Sequence, residues 1–133
     1  MITVVDTNIL LDIFLPNDKH LKSSQSLLKS AYDSGALIIN EIIYSELSPQ
    51  FKGKKDLDDV LRSLNIKVLN INEESSFYAG QKWKAYRKAG GKRERIIPDF
   101  LVGAFAVKQG NRLLTRDRGF YRKYFGDVKI MES

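Results

Sequence analysis

Four acids in this chain stand where carboxylates could share one task. Asp6 ends the uncharged run Ile2-Thr3-Val4-Val5, and Glu46 lies between Ile42-Ile43 and Leu47. Asp99 follows Pro98 at the head of an apolar stretch, and Asp117 comes just after Leu113-Leu114-Thr115. Each has an ordinary explanation alone: a helix N-cap for Asp6, a dipole partner for Asp99, a turn residue for Asp117 and a solvated helix charge for Glu46. All four, however, are wedged against apolar sequence at the edge of a loop. Two carboxylates about 4 Å apart repel by roughly 4 kcal/mol at an effective dielectric of 20. A cluster of four therefore needs protons or a cation. Oxygen-only ligands suit Mg²⁺ or Mn²⁺. Such a centre can activate water and stabilise the leaving oxygen of a phosphodiester.

The rest of the composition limits the alternatives. The chain has no cysteine, which excludes a disulfide scaffold, a thiolate zinc site and a cysteine nucleophile. Its lone histidine, His20, sits in a polar helix start and reads as an exposed residue. With 22 basic against 16 acidic residues the net charge is +6, which favours a polyanionic partner. The basic residues are densest between Lys82 and Arg95, where Lys82, Lys84, Arg87, Lys88, Lys92, Arg93 and Arg95 face one acid, Glu94. Arg87, Lys88, Lys92 and Arg93 are the candidate contacts to a nucleic-acid backbone; a solvated helix face is the plainer reading of the same run. Trp83 and Tyr86 read as core residues.

The elements that must position these groups alternate between strand and helix. Ile2–Val5 reads as a strand buried on both faces, and Asp6 falls at its carboxyl end, where open α/β sheets bind ligands. A helix is expected over Asn17–Ser34 with Gly35 as its stop, then a strand Ala36–Ile39 and a helix Glu41–Leu47 closed by Pro49. Lys52–Lys55 reads as a basic loop, Leu57, Val60, Leu61 and Leu64 as an amphipathic helix, and Ile66–Ile71 as a strand. Glu73 and Glu74 open a long helix that Ala89-Gly90-Gly91 ends. Pro98 fits a first helical turn, and Phe100–Val107 is apolar nearly all round, as in a helix buried mid-fold. Arg112–Thr115 reads as a strand, Arg116–Gly119 as a turn, Phe120–Phe125 as a short helix and Val128–Met131 as a last strand. This alternation predicts an α/β protein: three-layer α/β/α with a central, mostly parallel sheet, in one domain over residues 1–133. No basic n-region precedes an apolar segment and no apolar run is long enough to span a bilayer, so a soluble cytoplasmic protein is expected.

The four acid-bearing segments together resemble the motifs of PIN-domain nucleases. Val4-Val5-Asp6-Thr7-Asn8-Ile9-Leu10 resembles the opening motif, and Tyr44-Ser45-Glu46-Leu47 looks like the glutamate motif. Pro98-Asp99-Phe100-Leu101-Val102-Gly103-Ala104 is similar to the third, and Leu114-Thr115-Arg116-Asp117-Arg118-Gly119-Phe120-Tyr121 to the fourth. The likeness spans nearly the whole chain, and its small size most resembles VapC-type toxins of toxin–antitoxin pairs. The resemblance implies a Mg²⁺- or Mn²⁺-dependent endoribonuclease leaving 5′-phosphate and 3′-hydroxyl ends. Asp6, Glu46, Asp99 and Asp117 would form the acidic site, with Asp6 and Asp99 as main ligands and Asn8 and Thr115 as supporting polar groups. It also implies a small antitoxin partner and a homodimer. Glu41, where small polar residues are usual, would add a charge near the site or face solvent.

Two other readings compete. One is a catalytically quiet RNA- or protein-binding module of the same fold, against which the intact acids argue. The other is a receiver-like or haloacid dehalogenase-like domain. The dehalogenase type wants a second aspartate where this chain has Asn8, and the receiver type wants an aspartate that neither Asn40 nor Asn70 supplies.

Overall fold

Thr3, Val4 and Val5 are β-branched and wholly buried, so β1 (Ile2–Val5) can only lie inside a sheet. The computed structural model describes residues 1–15, 19–91 and 96–131. β1 pairs in parallel with β2 (Ala36–Ile39) on one side and β4 (Arg112–Leu114) on the other. β3 (Ile66–Val68) adds outside β2, giving the order β3-β2-β1-β4. Val5 is level with Leu114, so Asp6 emerges mid-sheet beside Thr115.

The helices follow from the strand order. The steps from β1 to β2 and from β2 to β3 move one way, through α1 (Thr7–Phe14), α2 (Leu21–Ser34), α3 (Glu41–Leu47) and α4 (Lys54–Ser63). The step from β3 to β4 returns past β1 through α5 (Glu73–Lys88) and α6 (Ile97–Gln109). Parallel crossovers are right-handed, so opposite directions of travel put the two helix groups on opposite faces. The result is the expected three-layer α/β/α arrangement. The winding reverses between β1 and β4, and open α/β sheets bind ligands at that point, outside the carboxyl ends of the strands.

The core fills both layers. Ile9 and Leu10 of α1 and Ile43 and Leu47 of α3 are fully buried or nearly so. On α6, Phe100 and the run Val102–Ala106 are buried, matching its all-round apolar sequence. Phe100 meets Phe120 of α7 (Arg118–Tyr124) at 5.5 Å between ring centroids, and Tyr86 of α5 at 5.3 Å.

Several boundaries differ from the sequence expectation. The helix expected from Asn17 starts at Leu21, and residues 16–18 lie outside those described. The strand expected to reach Ile71 stops at Val68: Leu69 still donates its N–H to the Ile39 carbonyl, but the Ile71 N–H goes to the Glu41 carboxylate at 2.8 Å. Glu41 thus serves as a side-chain substitute for a strand partner. The Lys52–Lys55 stretch is loop only up to Gly53, and α4 begins at Lys54. The last expected strand shrinks to one bridge, Leu113 with Ile130, because the Asn111 N–H that would carry the pairing one step further goes to the Ile2 carbonyl. α7 begins at Arg118, before the expected Phe120. Among the described residues no helix is long and apolar enough to cross a membrane.

Candidate active site

Asp6 occupies the N-cap of α1, yet it does more than cap. Its Oδ1 accepts the Thr7 N–H at 2.8 Å, and its Oδ2 accepts the Thr115 hydroxyl at 2.7 Å and the Asn8 Nδ2 at 3.4 Å. The residue is only 9% exposed. Burial pushes its carboxyl up to about 6, against the pull of the Thr115 and Thr7 hydrogen bonds; the charges of Glu46 and Asp117 push the same way as burial. An ordinary exposed cap would accept a backbone N–H but would feel neither this burial nor the neighbouring charges.

The other three acids reach the same place from separate elements. Glu46, one residue from the end of α3, receives the Thr7 hydroxyl on Oε1 at 2.8 Å. Asp99 lies in the first turn of α6, where its Oδ2 accepts the Ile96 N–H at 3.3 Å. Asp117 precedes α7, and its N–H donates to Thr115 Oγ1 at 3.0 Å. Asp6, Glu46, Asp99 and Asp117 line one cavity of about 230 Å³ with Thr7 and Asn8. Larger clefts of about 330 and 440 Å³ lie elsewhere, but neither gathers acids, and chemistry decides between them. The four sequence-predicted acids therefore meet, as do Asn8 and Thr115.

The donors that line this cavity are carboxylate, hydroxyl and amide oxygens, a set that fits Mg²⁺ or Mn²⁺ and not a soft metal. Among the described residues no three acidic or histidine side chains stand as a ready-made metal cage. The fit lies in donor chemistry and in a buried acid burdened by its neighbours' charge, which a bound cation would relieve.

Sequence pattern alone does not single out Thr7, Asp12 or Arg116, yet all three shape the site. Thr7 orients Glu46. Asp12, on α1 among apolar neighbours, is 3% exposed and takes a two-point fork from Arg116, Nε to Oδ2 at 2.7 Å and Nη2 to Oδ1 at 3.0 Å. Burial raises the Asp12 carboxyl, but the Arg116 and Ser24 hydrogen bonds more than offset it and hold the group below the usual carboxylate range. The available signal is spacing: Asn8 and Asp12, four apart, share one face of a helix whose remaining residues after Thr7 are apolar.

Of the basic candidates, Arg87 and Lys88 are exposed at the end of α5. The Tyr86–Phe100 contact holds that end beside the first turn of α6, which carries Asp99. Arg87 also lies over the Trp83 ring, 5.1 Å from its centroid. Lys92 and Arg93 lie outside the described residues.

A strand-edge acid, a glutamate on the helix after the second strand, an aspartate opening a buried helix and another after the last strand form one arrangement. The family model of the PIN domain matches the chain over residues 3–126. The chain belongs to the PIN domain family. Solved structures agree on the fold. A chain of the VapBC2 structure from Rickettsia felis, bound to a DNA fragment from their promoter, superposes with a TM-score of 0.76 at 18% identity, covering 98% of each chain. A chain of VapBC-1 from nontypeable Haemophilus influenzae gives 0.75 at 18% identity, covering 99% of this chain and 98% of that one. A chain of FitAcB from Neisseria gonorrhoeae gives 0.64 at 19%, covering 99% and 97%. No curated protein sequence matches the chain.

Proposed function

We propose that this protein is a Mg²⁺- or Mn²⁺-dependent endoribonuclease, the toxin of a toxin–antitoxin pair, acting as one catalytic domain in the cytoplasm. The observation that carries the reading is the meeting of Asp6, Glu46, Asp99 and Asp117 in one cavity where the sheet's winding reverses. Asp6 and Asp99 are the main candidate ligands, with Glu46 and Asp117 binding directly or through water. A bound divalent cation would supply positive charge to water and to the phosphate at the scissile bond.

The chain's own residues supply the rest. Thr115 and Asn8 fix the Asp6 carboxylate by hydrogen bonds to Oδ2. Thr7 fixes Glu46 through Oε1, and Oε2 has no hydrogen-bond partner among the described residues, which leaves it for a water. Water attacks phosphorus in line, the bond to O3′ breaks, and that oxygen takes a proton, giving 5′-phosphate and 3′-hydroxyl ends. Arg87 and Lys88, with Lys92 and Arg93 from the sequence, meet the RNA backbone.

Several structures that share this fold come from toxin–antitoxin complexes, and they support a small antitoxin protein as partner. On this reading the toxin is a homodimer, and a short neighbouring reading frame encodes a DNA-binding protein. The test is cleavage of a single-stranded RNA by purified protein with and without Mn²⁺, beside Asp99→Asn. Metal-dependent cleavage that the variant loses supports the reading. RNA binding without cleavage in any divalent metal would instead favour a quiet binding module.

A further inference from the structure

Asp12 is a buried acid that the reaction above does not use. A carboxylate among Leu10, Leu11 and Ile13 is costly unless fully paired, and here it is. Arg116 forks onto both oxygens at 2.7 and 3.0 Å, and the Ser24 hydroxyl of α2 donates to Oδ2 at 2.6 Å. Ser24 itself is buried, so the carboxylate is held from the second helix as well.

Arg116 grips α1 at a second point. Its backbone N–H donates to Asn8 Oδ1 at 3.1 Å. Asn8 and Asp12 are four residues apart and so share one face of the helix. Backbone and side chain of one residue therefore hold two successive turns of α1. The residues flanking Arg116 are those the site needs. Thr115 gives its hydroxyl proton to Asp6 while its oxygen accepts the Asp117 N–H.

We propose that Arg116, locked by Asp12, is a positioning residue whose fork holds the 115–117 turn against α1, so that Thr115 and Asp117 are delivered to Asp6. The catalytic side of this rests on the nuclease reading above. A lysine offers one point charge and cannot reproduce a planar fork. Arg116 is also 38% exposed, and its Nη1 has no partner among the described residues, so direct contact with RNA is the rival role. The two roles separate kinetically: a positioning residue acts on kcat, a ground-state RNA contact on KM.

The test compares wild type with Arg116→Lys and with the double variant Asp12→Asn plus Arg116→Gln. The double variant removes both charges together, so no buried charge is left unpaired. Three readouts are taken: kcat and KM on a synthetic single-stranded RNA with Mn²⁺, melting temperature, and amide hydrogen exchange in metal-free protein. The double variant should exchange the backbone amides at positions 116 and 117 about tenfold faster or more, with β1 unchanged. Its kcat should fall about tenfold with KM within about twofold, and Arg116→Lys should fall between.

A raised KM at unchanged kcat would overturn the proposal in favour of an RNA contact. A lowered melting temperature with unchanged kcat and unchanged exchange at both amides would reduce the fork to a structural tie and overturn it too. A wild-type protein that cleaves no RNA would sink the functional reading and the fork's catalytic consequence. The exchange arm distinguishes that from failure of the fork itself, which unchanged rates would show.

Discussion

Thr7 donates its hydroxyl to Oε1 of Glu46 at 2.8 Å, joining the first turn of α1 to the last turn of α3. The same residue gives its N–H to Asp6, so one threonine sets the spacing between two of the four acids. Thr7→Val keeps the β-branched shape and removes only the hydroxyl. Stability should fall by about 1 kcal/mol or less, the net worth of one hydrogen bond with an exposed acceptor. Cleavage should fall further, by about tenfold or more, as groups that orient metal ligands typically do. Thr7→Ser should keep most activity. Melts and single-turnover cleavage of the two variants check this, and equal activity in all three proteins would show that Glu46 needs no orienting.

Gly103 makes the buried face of α6 shallow enough to seat Phe125. A Cβ there would lie 2.7 Å from the Phe125 ring, and that ring is wholly buried against Phe100, Phe120 and Tyr121. Gly103→Ala gains about 1 kcal/mol of helix propensity. Overpacking costs about 1–3 kcal/mol, and a ring enclosed on several sides has little room to give. The overpacking should win, lowering the urea midpoint without changing the slope. A raised midpoint would mean that Phe125 moves aside freely.

Much of this is legible in the sequence because pattern and position agree. The uncharged β-branched run before Asp6, Pro98 in the first turn of a largely apolar helix, and Gly110 at its end each name their element through local physics. The four acids can be read because each closes or opens such an element. The tertiary supports cannot. Nothing local says that Asp12 meets Arg116, 104 residues away, or that Glu41 finishes the pairing of the segment after β3. The short last strand is over-predicted for the same reason: the Asn111 donor that would extend it pairs with Ile2 of β1 instead.

Arg87 and Lys88 are exposed beside the helix end that carries Asp99, and RNA affinity should depend on them through charge. Replacing Arg87, Lys88, Lys92 and Arg93 with glutamine should weaken single-stranded RNA binding. For every phosphate left without its cation, the log–log salt dependence should flatten by about 0.7. Arg87 carries a second contribution, because its guanidinium covers Trp83. Arg87→Lys should therefore keep the salt slope while loosening that packing. Binding measured by anisotropy at several salt concentrations reads both effects. Wild-type affinity and slope in the fourfold variant would place the RNA path elsewhere.

Asp6 ties stability, pH and metal together. Its folded-state carboxyl is raised from 3.8 to about 6, chiefly by burial, so the folded protein holds a proton there that the unfolded chain has already lost. Below about 3.8 the group is protonated in both states, and its favourable contribution is fully present. As pH rises from about 4 to 6 that contribution is lost, by roughly 3 kcal/mol at most. Asp12 works in the opposite sense and in another window: its lowered carboxyl adds stability that disappears only as the medium becomes more acidic than the usual carboxylate range. Asp6→Asn removes the first effect alone. Asparagine can still accept the Thr7 N–H, although it cannot satisfy the Thr115 hydroxyl and that N–H at once, so some loss at every pH is expected. Against that constant loss, the metal-free variant should gain on wild type steadily between about pH 4 and 6. Millimolar Mn²⁺ should reverse the gain at about pH 7, because only the wild type keeps the full acidic set that a cation stabilises by mass action. The variant should also lose metal-dependent cleavage. Melting curves across pH with and without Mn²⁺ decide the matter: parallel pH profiles and equal responses to Mn²⁺ would make Asp6 a helix cap and nothing more.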